Sequence, residues 1–199
     1  MSQIIITIGR EYGSGGREIG EKLAKKLNIP IYDKEIITES VKRSGFCQEI
    51  FETYDEHSTP SLLYSLAMGS FVMDQQISLP DQIFLEQFKT IRNLADKGSC
   101  IFIGRCADYV LEEKDNLISI FIKGNEEDKI ARIMERNNLS KEETTKKMNK
   151  IDKARKSYYE RYTCKKWGDT KSYDVTLNSS TFGIDRIVDF LFNMIKEMK

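Results

Sequence analysis

Residues 4–20 read IIITIGREYGSGGREIG, and this stretch decides the fold. It begins with a nearly continuous β-branched apolar run, which predicts a strand buried on both faces of a sheet. Four glycines follow within eight residues, at positions 9, 13, 15 and 16. Glycine permits positive φ and lets a ligand approach the backbone closely. Because a helix is predicted directly after them, with unpaired N–H groups and a positive dipole end, the turn predicts an anion site, most naturally for phosphate.

Two known phosphate-binding loops fit this turn incompletely. The GxxxxGK[ST] loop would place lysine after Gly15, but Gly16 stands there, Arg17 follows and Glu18 replaces the Ser/Thr. The alternative is a dinucleotide-binding turn built on the glycines, with Asp33 at the end of the second strand as the ribose-binding carboxylate. The spacing of the turn leaves both interpretations open, so the rest of the chain must decide.

Composition excludes several functional classes. The chain has 199 residues with 31 basic and 31 acidic side chains, 40% hydrophobic and 10% aromatic residues, as expected of one globular domain. The balanced charge argues against a general nucleic-acid or membrane-surface binder, and no apolar run approaches the roughly 18 residues that span a bilayer. With no secretory signal pattern, the sequence predicts a cytoplasmic protein. The single histidine, His57, excludes imidazole-rich metal sites, and the four scattered cysteines are expected to be reduced thiols.

Short apolar runs alternate with amphipathic helical patterns along the chain. Five runs are predicted strands: residues 4–8, 29–32, 101–103, 117–122 and 174–177. Helices are predicted from the apolar repeat in 19–27, from the capping box Ser140–Glu143 through about Tyr162, and from the apolar face of 184–198. This alternation predicts a parallel α/β sheet. Residues 44–97 lack a clear strand and are expected to form a helical insert.

Charged side chains follow the third and fourth strands. Arg105 comes directly after the predicted strand 101–103, with Asp108 about one helical turn later. Open α/β sheets bind ligands at the carboxyl ends of their strands, which makes Arg105 a candidate ligand-binding residue. Arg132 and Arg136 share one face of the helix after the fourth strand, where an ordinary solvated face is the competing interpretation.

The segment from about 150 to 170 carries the densest pattern of charge and aromatic residues. Asp152, Arg155 and Tyr159 fall near one helical face, and Arg155 also shares a face with Tyr158. A basic, aromatic helix that leads into a glycine-containing turn suits a mobile lid over a triphosphate. A charged surface helix is the alternative, and it explains the charges better than the tyrosines.

Together these motifs resemble the cytidylate-kinase-like proteins, relatives of cytidylate kinase among the P-loop nucleoside monophosphate kinases. The motifs are residues 6–20, Tyr32-Asp33, Gly104-Arg105 with Ala107-Asp108, and Asp152-x-x-Arg155-x-x-Tyr158-Tyr159 followed by Trp167-Gly-Asp169. The resemblance implies a three-layer P-loop NTPase fold: a five-stranded parallel sheet flanked by helices, with a helical acceptor-binding insert at about 44–97 and a lid at about 150–170, all within one domain.

The resemblance also assigns roles to residues. The phosphates of ATP would be cradled by Gly13, Ser14, Gly15, Gly16, Arg17 and Glu18. Arg17 is the first candidate to replace the missing lysine, and Arg10 is the second. The catalytic group would comprise Arg17, Arg132, Arg155 and Asp152. The acceptor would be bound by Asp33, Arg105, Asp108, Tyr158 and Tyr159. ATP and Mg²⁺ are the implied cofactors, and Ser14 or Glu18 could hold the metal.

The implied reaction is transfer of a phosphoryl group from ATP to a nucleoside monophosphate, with CMP or dCMP as the leading acceptor. The expected partner is therefore a small-molecule nucleotide, not a nucleic acid or a membrane, and the oligomeric state is open. Because the lysine is absent, a nucleotide-binding module without transfer is one alternative, and a P-loop kinase for another small acceptor is a second. A dehydrogenase, suggested by Tyr162-x-x-x-Lys166 and the glycines, is a third.

Overall fold

The computed structural model describes residues 3–33, 36, 39–40 and 78–198. Within them, five strands form one sheet: β1 (Ile5–Arg10), β2 (Ile31–Tyr32), β3 (Cys100–Ile103), β4 (Leu117–Lys123) and β5 (Val175–Asn178). All pairings are parallel, and the order is β2-β3-β1-β4-β5. Each predicted strand is confirmed to within two residues at either end, because its β-branched residues fill both faces of a covered sheet.

The strand order decides between the two interpretations of the glycine-rich turn. In the dinucleotide-binding fold, β1 lies between β2 and β4. Here β1 lies between β3 and β4, with Ile5 in register with Cys100 on one side and Leu117 on the other. The topology therefore argues against the dehydrogenase alternative.

Helices cover both faces of the sheet. The described helices are α1 (Gly16–Leu27), α2 (Leu79–Ala95), α3 (Ala107–Val110), α4 (Glu126–Asn137), α5 (Lys141–Thr163), α6 (Ser179–Phe182) and α7 (Ile184–Glu197). A short 3₁₀ turn, Thr170–Ser172, precedes β5. Successive strand residues point to opposite faces, so Ile6 and Ile8 pack with α1 and α7, whereas Ile5 packs with α2 and α3. The predicted parallel sheet flanked by helices is confirmed.

The longest described helix, α5, starts where the capping box predicts. The Ser140 hydroxyl accepts a hydrogen bond from the Glu143 amide, and the Glu143 carboxylate accepts one from the Ser140 amide. The 23-residue helix that follows buries one stripe, which consists of Thr144, Met148, Arg155, Tyr159 and Thr163. This stripe brings the predicted lid residues toward the sheet.

Part of the predicted insert lies outside the described residues. Helix α2 occupies the end of the stretch 44–97, whereas residues 44–77, with Cys47 and His57, are not among those described. Cys100 and Cys106 are buried free thiols and Cys164 is an exposed one. None of the described helices is long and apolar enough to cross a membrane.

Candidate active site

The turn between β1 and α1 needs glycine at two positions. Gly13 and Gly15 have φ values of 85° and 80°, in the left-handed region. A Cβ on Gly13 would also lie 2.8 Å from Ile133 Cδ1 and 2.9 Å from the backbone oxygen of Lys129, because α4 packs directly on the turn. Gly15 is the N-cap of α1 and, having no side chain, makes no capping hydrogen bond to that helix. The N–H groups of its first turn therefore remain suited to an anion.

A cavity of about 350 Å³ lies against this turn. Three glycines of the turn line it, namely Gly13, Gly15 and Gly16. Among the described residues, the charged side chains in its walls are five arginines and three carboxylates: Arg10, Arg17, Arg132, Arg136, Arg155, Glu11, Glu18 and Asp33. An excess of guanidinium groups around open backbone N–H groups suits a polyanion such as an oligophosphate.

Helix α4 holds the turn from one side. The Lys129 ammonium lies 2.9 Å from Glu11 Oε2, and the same carboxylate accepts a hydrogen bond of 3.0 Å from the Gly124 amide. Three residues further along α4, Arg132 Nη1 donates a hydrogen bond of 2.6 Å to the Gly13 carbonyl. The first half of the turn is thus fixed by side chains more than a hundred positions away.

Helix α5 holds the same turn from the other side. The Tyr12 amide donates a hydrogen bond of 2.7 Å to Asp152 Oδ1, and Arg155 Nη1 donates one of 3.1 Å to the Arg10 carbonyl. Burial raises the pKa of Asp152, although the Tyr12 amide and Arg155 act in the opposite direction. Asp152 and Arg155 therefore act on the backbone of the glycine-rich turn and of the strand end before it.

The predicted phosphate-binding side chains differ in where they point. Ser14 is fully buried and its hydroxyl donates to the Glu11 carbonyl at 2.9 Å, so that hydroxyl is engaged inside the turn. Arg17 is half exposed, and its Nε lies 2.9 Å from Glu21 Oε1 and 3.5 Å from Asp33 Oδ2. Glu18 forms an ion pair with Lys22 at 3.0 Å. Arg17 and Glu18 line the cavity, whereas Ser14 does not.

A second cavity, of about 20 Å³, lies beside the start of α3. Gly104, Arg105 and Cys106 adopt three consecutive positive φ values of 70°, 58° and 54°. Such strained backbone is concentrated at functional sites. It places the Arg105 side chain inside the protein, 1% exposed, with Nη2 3.6 Å from Asp33 Oδ1.

Asp108 and Tyr159 form the floor of this second cavity. The Tyr159 hydroxyl donates a hydrogen bond of 2.6 Å to Asp108 Oδ2, and both residues are buried. Burial raises the pKa of the Asp108 carboxyl and of the Tyr159 hydroxyl. A carboxylate buried beside a cluster of aromatic rings is a polar group that a ligand could engage directly.

Aromatic contacts fix α5 against α2. Tyr158 donates a hydrogen bond of 2.9 Å to Gln87 Oε1, and the Tyr162 ring stacks on Phe84 with centroids 4.0 Å apart. Tyr158 also lines the second cavity. The two predicted tyrosines therefore contact different helices: Tyr158 bonds to α2 and Tyr159 bonds to α3.

Of the residues that the structure describes, Arg10 and Arg155 line both cavities. Of the predicted site residues, all of which are described, Ser14 and Asp152 line neither of these two cavities and the rest line one or both. Sequence reasoning gave no role to Glu11 or Lys129, whose ion pair depends on the packing of α4. Arg10, the second candidate from the sequence to replace the missing lysine, lines both cavities.

Comparison with known proteins places the chain among kinases. Residues 5–181 match the sequence profile of the cytidylate kinase-like family. The cytidylate kinase of Methanocaldococcus jannaschii is 24% identical over 200 residues, which cover 98% of this chain and 99% of that protein.

Solved structures resemble the fold over nearly its whole length. A crystal structure of an uncharacterized protein from Eubacterium ventriosum matches with a TM-score of 0.73 and 32% identity, covering 98% of this chain and 99% of that one. Shikimate kinase from Bacteroides thetaiotaomicron matches with a TM-score of 0.56 and 12% identity, over the same shares. At that identity the likeness concerns the fold alone, which is the P-loop α/β fold.

Proposed function

This chain belongs to the cytidylate kinase-like family, and on that premise we propose that it transfers a phosphoryl group from ATP to a nucleoside monophosphate, with CMP and dCMP as the leading acceptors. The observation that carries the proposal is the pair of cavities that share Arg10 and Arg155. Phosphoryl transfer needs a donor and an acceptor in line, with fixed cations where they meet.

The larger cavity suits the donor. Its open helix N-terminus and arginines match the negative charge of a triphosphate, and its volume of about 350 Å³ is in the range of small-molecule sites. Arg132 and Arg155 are held by backbone carbonyls of the turn, so their guanidinium groups are already close to where the phosphates would lie. Such preorganised charge is the main catalytic contribution expected of a kinase.

The smaller cavity suits recognition of the acceptor. Arg105 is a buried cation for its phosphate, and Asp108 with the neighbouring tyrosines offers polar groups for the rest of the nucleotide. At about 20 Å³ the cavity holds little more than a water molecule. Acceptor binding therefore requires the side chains around it to move apart.

Mg²⁺ fits the carboxylates that line the larger cavity. Mg²⁺ binds oxygen ligands, commonly one or two carboxylates together with substrate phosphates. Glu18 and Asp33 both line that cavity and would hold the ion in place of their ion pairs with Lys22 and Arg17, whereas Ser14 is buried and does not line the cavity. When bound, the ion would neutralise charge on the β- and γ-phosphate oxygens. The cytoplasmic location remains a prediction.

The test is an ADP-release assay with ATP, Mg²⁺ and a panel of nucleoside monophosphates that includes CMP, dCMP and UMP. Stimulation by CMP or dCMP supports the proposal. ATP binding without stimulation by any monophosphate would contradict it and would favour the non-catalytic module, which the missing lysine at position 16 suggests. Stimulation by a different small acceptor would support kinase activity and contradict CMP and dCMP as the acceptors.

A further inference from the structure

The phosphate loop of this chain has two exchanged positions. In the GxxxxGK[ST] pattern the lysine follows the first glycine by six positions. When the lysine of the pattern is placed at position 16, its first glycine falls at position 10. This chain has glycine, Gly16, in place of the lysine and arginine, Arg10, in place of the first glycine. The basic residue and the glycine have therefore changed places.

The structure shows that a side chain at position 16 would collide with the side chain of Arg10. A Cβ on Gly16 would lie 2.5 Å from Arg10 Cβ and 3.2 Å from Arg10 Cγ. Gly16 is the first residue of α1 and its φ lies outside the left-handed region, so the backbone conformation does not require glycine. The Arg10 side chain occupies the space in which a lysine at position 16 would begin.

Arg10 also has the location that the reaction requires. It ends β1, is 6% exposed and lines both cavities, together with Arg155. Arg17, the first candidate from the sequence, is half exposed and lies beside the carboxylates of Glu21 and Asp33.

We propose that Arg10 supplies, from the end of β1, the cation that lysine supplies in GxxxxGK[ST] loops, and that it contacts the β- and γ-phosphates of the donor. This inference rests on the proposed function. In the transfer, the γ-phosphorus forms a bond to an oxygen of the acceptor phosphate while its bond to the β–γ bridging oxygen breaks, and that electron pair stays on ADP. The guanidinium of Arg10 stabilises the charge on the oxygens.

The first experiment removes the charge of Arg10 and keeps its stem. Arg10→Met retains aliphatic volume over Gly16, and Arg10→Lys retains the charge on a shorter and differently shaped group. We expect kcat to fall about a hundredfold or more in R10M and by roughly tenfold in R10K, with unchanged folding by circular dichroism. Arg186→Ala, an exposed arginine on α7, is the control and keeps wild-type turnover. A folded R10M within threefold of wild type would overturn the proposal.

The second experiment reverses the exchange. Arg10→Gly combined with Gly16→Lys restores GxxxxGK over residues 10–16, and we expect its turnover to exceed that of R10G at least tenfold. Gly16→Ala alone would push Arg10 aside and lower turnover as R10M does. Equal turnover of the double variant and R10G would contradict the exchange of positions.

A binding measurement separates this inference from the proposed function. If the wild type releases no ADP with any monophosphate, the proposed function fails, and Arg10 is judged by calorimetry with ADP and a non-hydrolysable ATP analogue. Loss in R10M of the wild-type preference for the triphosphate supports the assignment. The same preference in both proteins rejects it.

Discussion

The carboxylate of Asp152 accepts a 2.7 Å hydrogen bond from the Tyr12 amide, although the two residues lie 140 positions apart. Tyr12 belongs to the glycine-rich turn and Asp152 to α5, so this bond ties the turn to the helix that also carries Arg155 and Tyr159. Asp152 lines neither cavity. Its hydrogen bond to the Tyr12 amide is the contact expected of a residue that positions the turn.

The nucleotide affinity of Asp152 variants should therefore depend more on whether residue 152 can accept a hydrogen bond than on its charge. Asp152→Ala leaves the Tyr12 amide without its acceptor, at a cost of about 1–3 kcal/mol, and we expect affinity for a non-hydrolysable ATP analogue to fall about tenfold. Asp152→Asn keeps an oxygen that can accept the bond and should retain most of the affinity by calorimetry. Equal losses in both variants would assign Asp152 a role that needs its charge.

Gly13 is the position of the turn at which an added methyl group should reduce nucleotide affinity most. In Gly13→Ala the new Cβ would meet Ile133 and the Lys129 backbone, at a φ of +85°, so the turn must shift relative to α4. We expect at least a tenfold loss of affinity for the ATP analogue, together with a lower melting temperature.

Gly98→Ala is the matched control for Gly13→Ala. Gly98 has a φ of +146°, but no described atom lies within 4 Å of the added Cβ. The control should lose about 1 kcal/mol of stability from backbone strain and keep wild-type affinity. A loss of affinity in both variants would show that lowered stability of the fold, not the contact of the turn with α4, weakens binding.

Much of this site could be predicted because its signals are local. The glycine-rich turn follows a β-branched strand within one stretch of sequence, and the capping box Ser140–Glu143 spans only four residues. Both could be located without knowing what packs around them. Arg105, which lines the second cavity, could be predicted as a ligand-binding residue in the same way, because it follows directly on a predicted strand.

The contacts that hold the turn could not be predicted, because they join distant parts of the chain. No local pattern connects Lys129 to Glu11 or Arg132 to the Gly13 carbonyl, since each pair meets only once α4 packs on the turn that follows β1. For the same reason Arg17 looked like the natural substitute for lysine in sequence, whereas the side chain that passes over Gly16 belongs to Arg10.

Removing the cap of α5 should destabilise the whole fold. In Ser140→Ala the Glu143 amide loses its side-chain acceptor, which costs about 1 kcal/mol. Because α5 carries Arg155 and Tyr159 into the core, we expect this loss in the free energy of global unfolding, measured with urea. Thr145→Ala removes a hydroxyl that donates to the Lys141 carbonyl within the same helix. It should be neutral or slightly stabilising, since alanine is the better helix former.

The buried carboxyl of Asp108 should leave a signature in the pH dependence of stability. Burial raises its pKa above the ordinary 3.8, against opposing effects of the Tyr159 hydroxyl and Lys165. The folded protein therefore binds this proton more tightly than the unfolded chain does. Between 3.8 and the raised folded pKa, the contribution of Asp108 to the free energy of unfolding must fall as pH rises, and above that window it stays constant.

The comparison that isolates this contribution is wild type against Asp108→Asn, which cannot titrate at position 108. Urea unfolding from pH 4 to 8 should give a wild-type minus D108N difference that decreases with pH and then levels off. Tyr159→Phe removes the hydrogen bond that favours the charged carboxylate, so in that background the pKa of Asp108 rises further and the levelling-off moves to higher pH. A difference that grows with pH would mean that Asp108 is stabilised as a carboxylate in the folded protein, contrary to the effect expected from its burial.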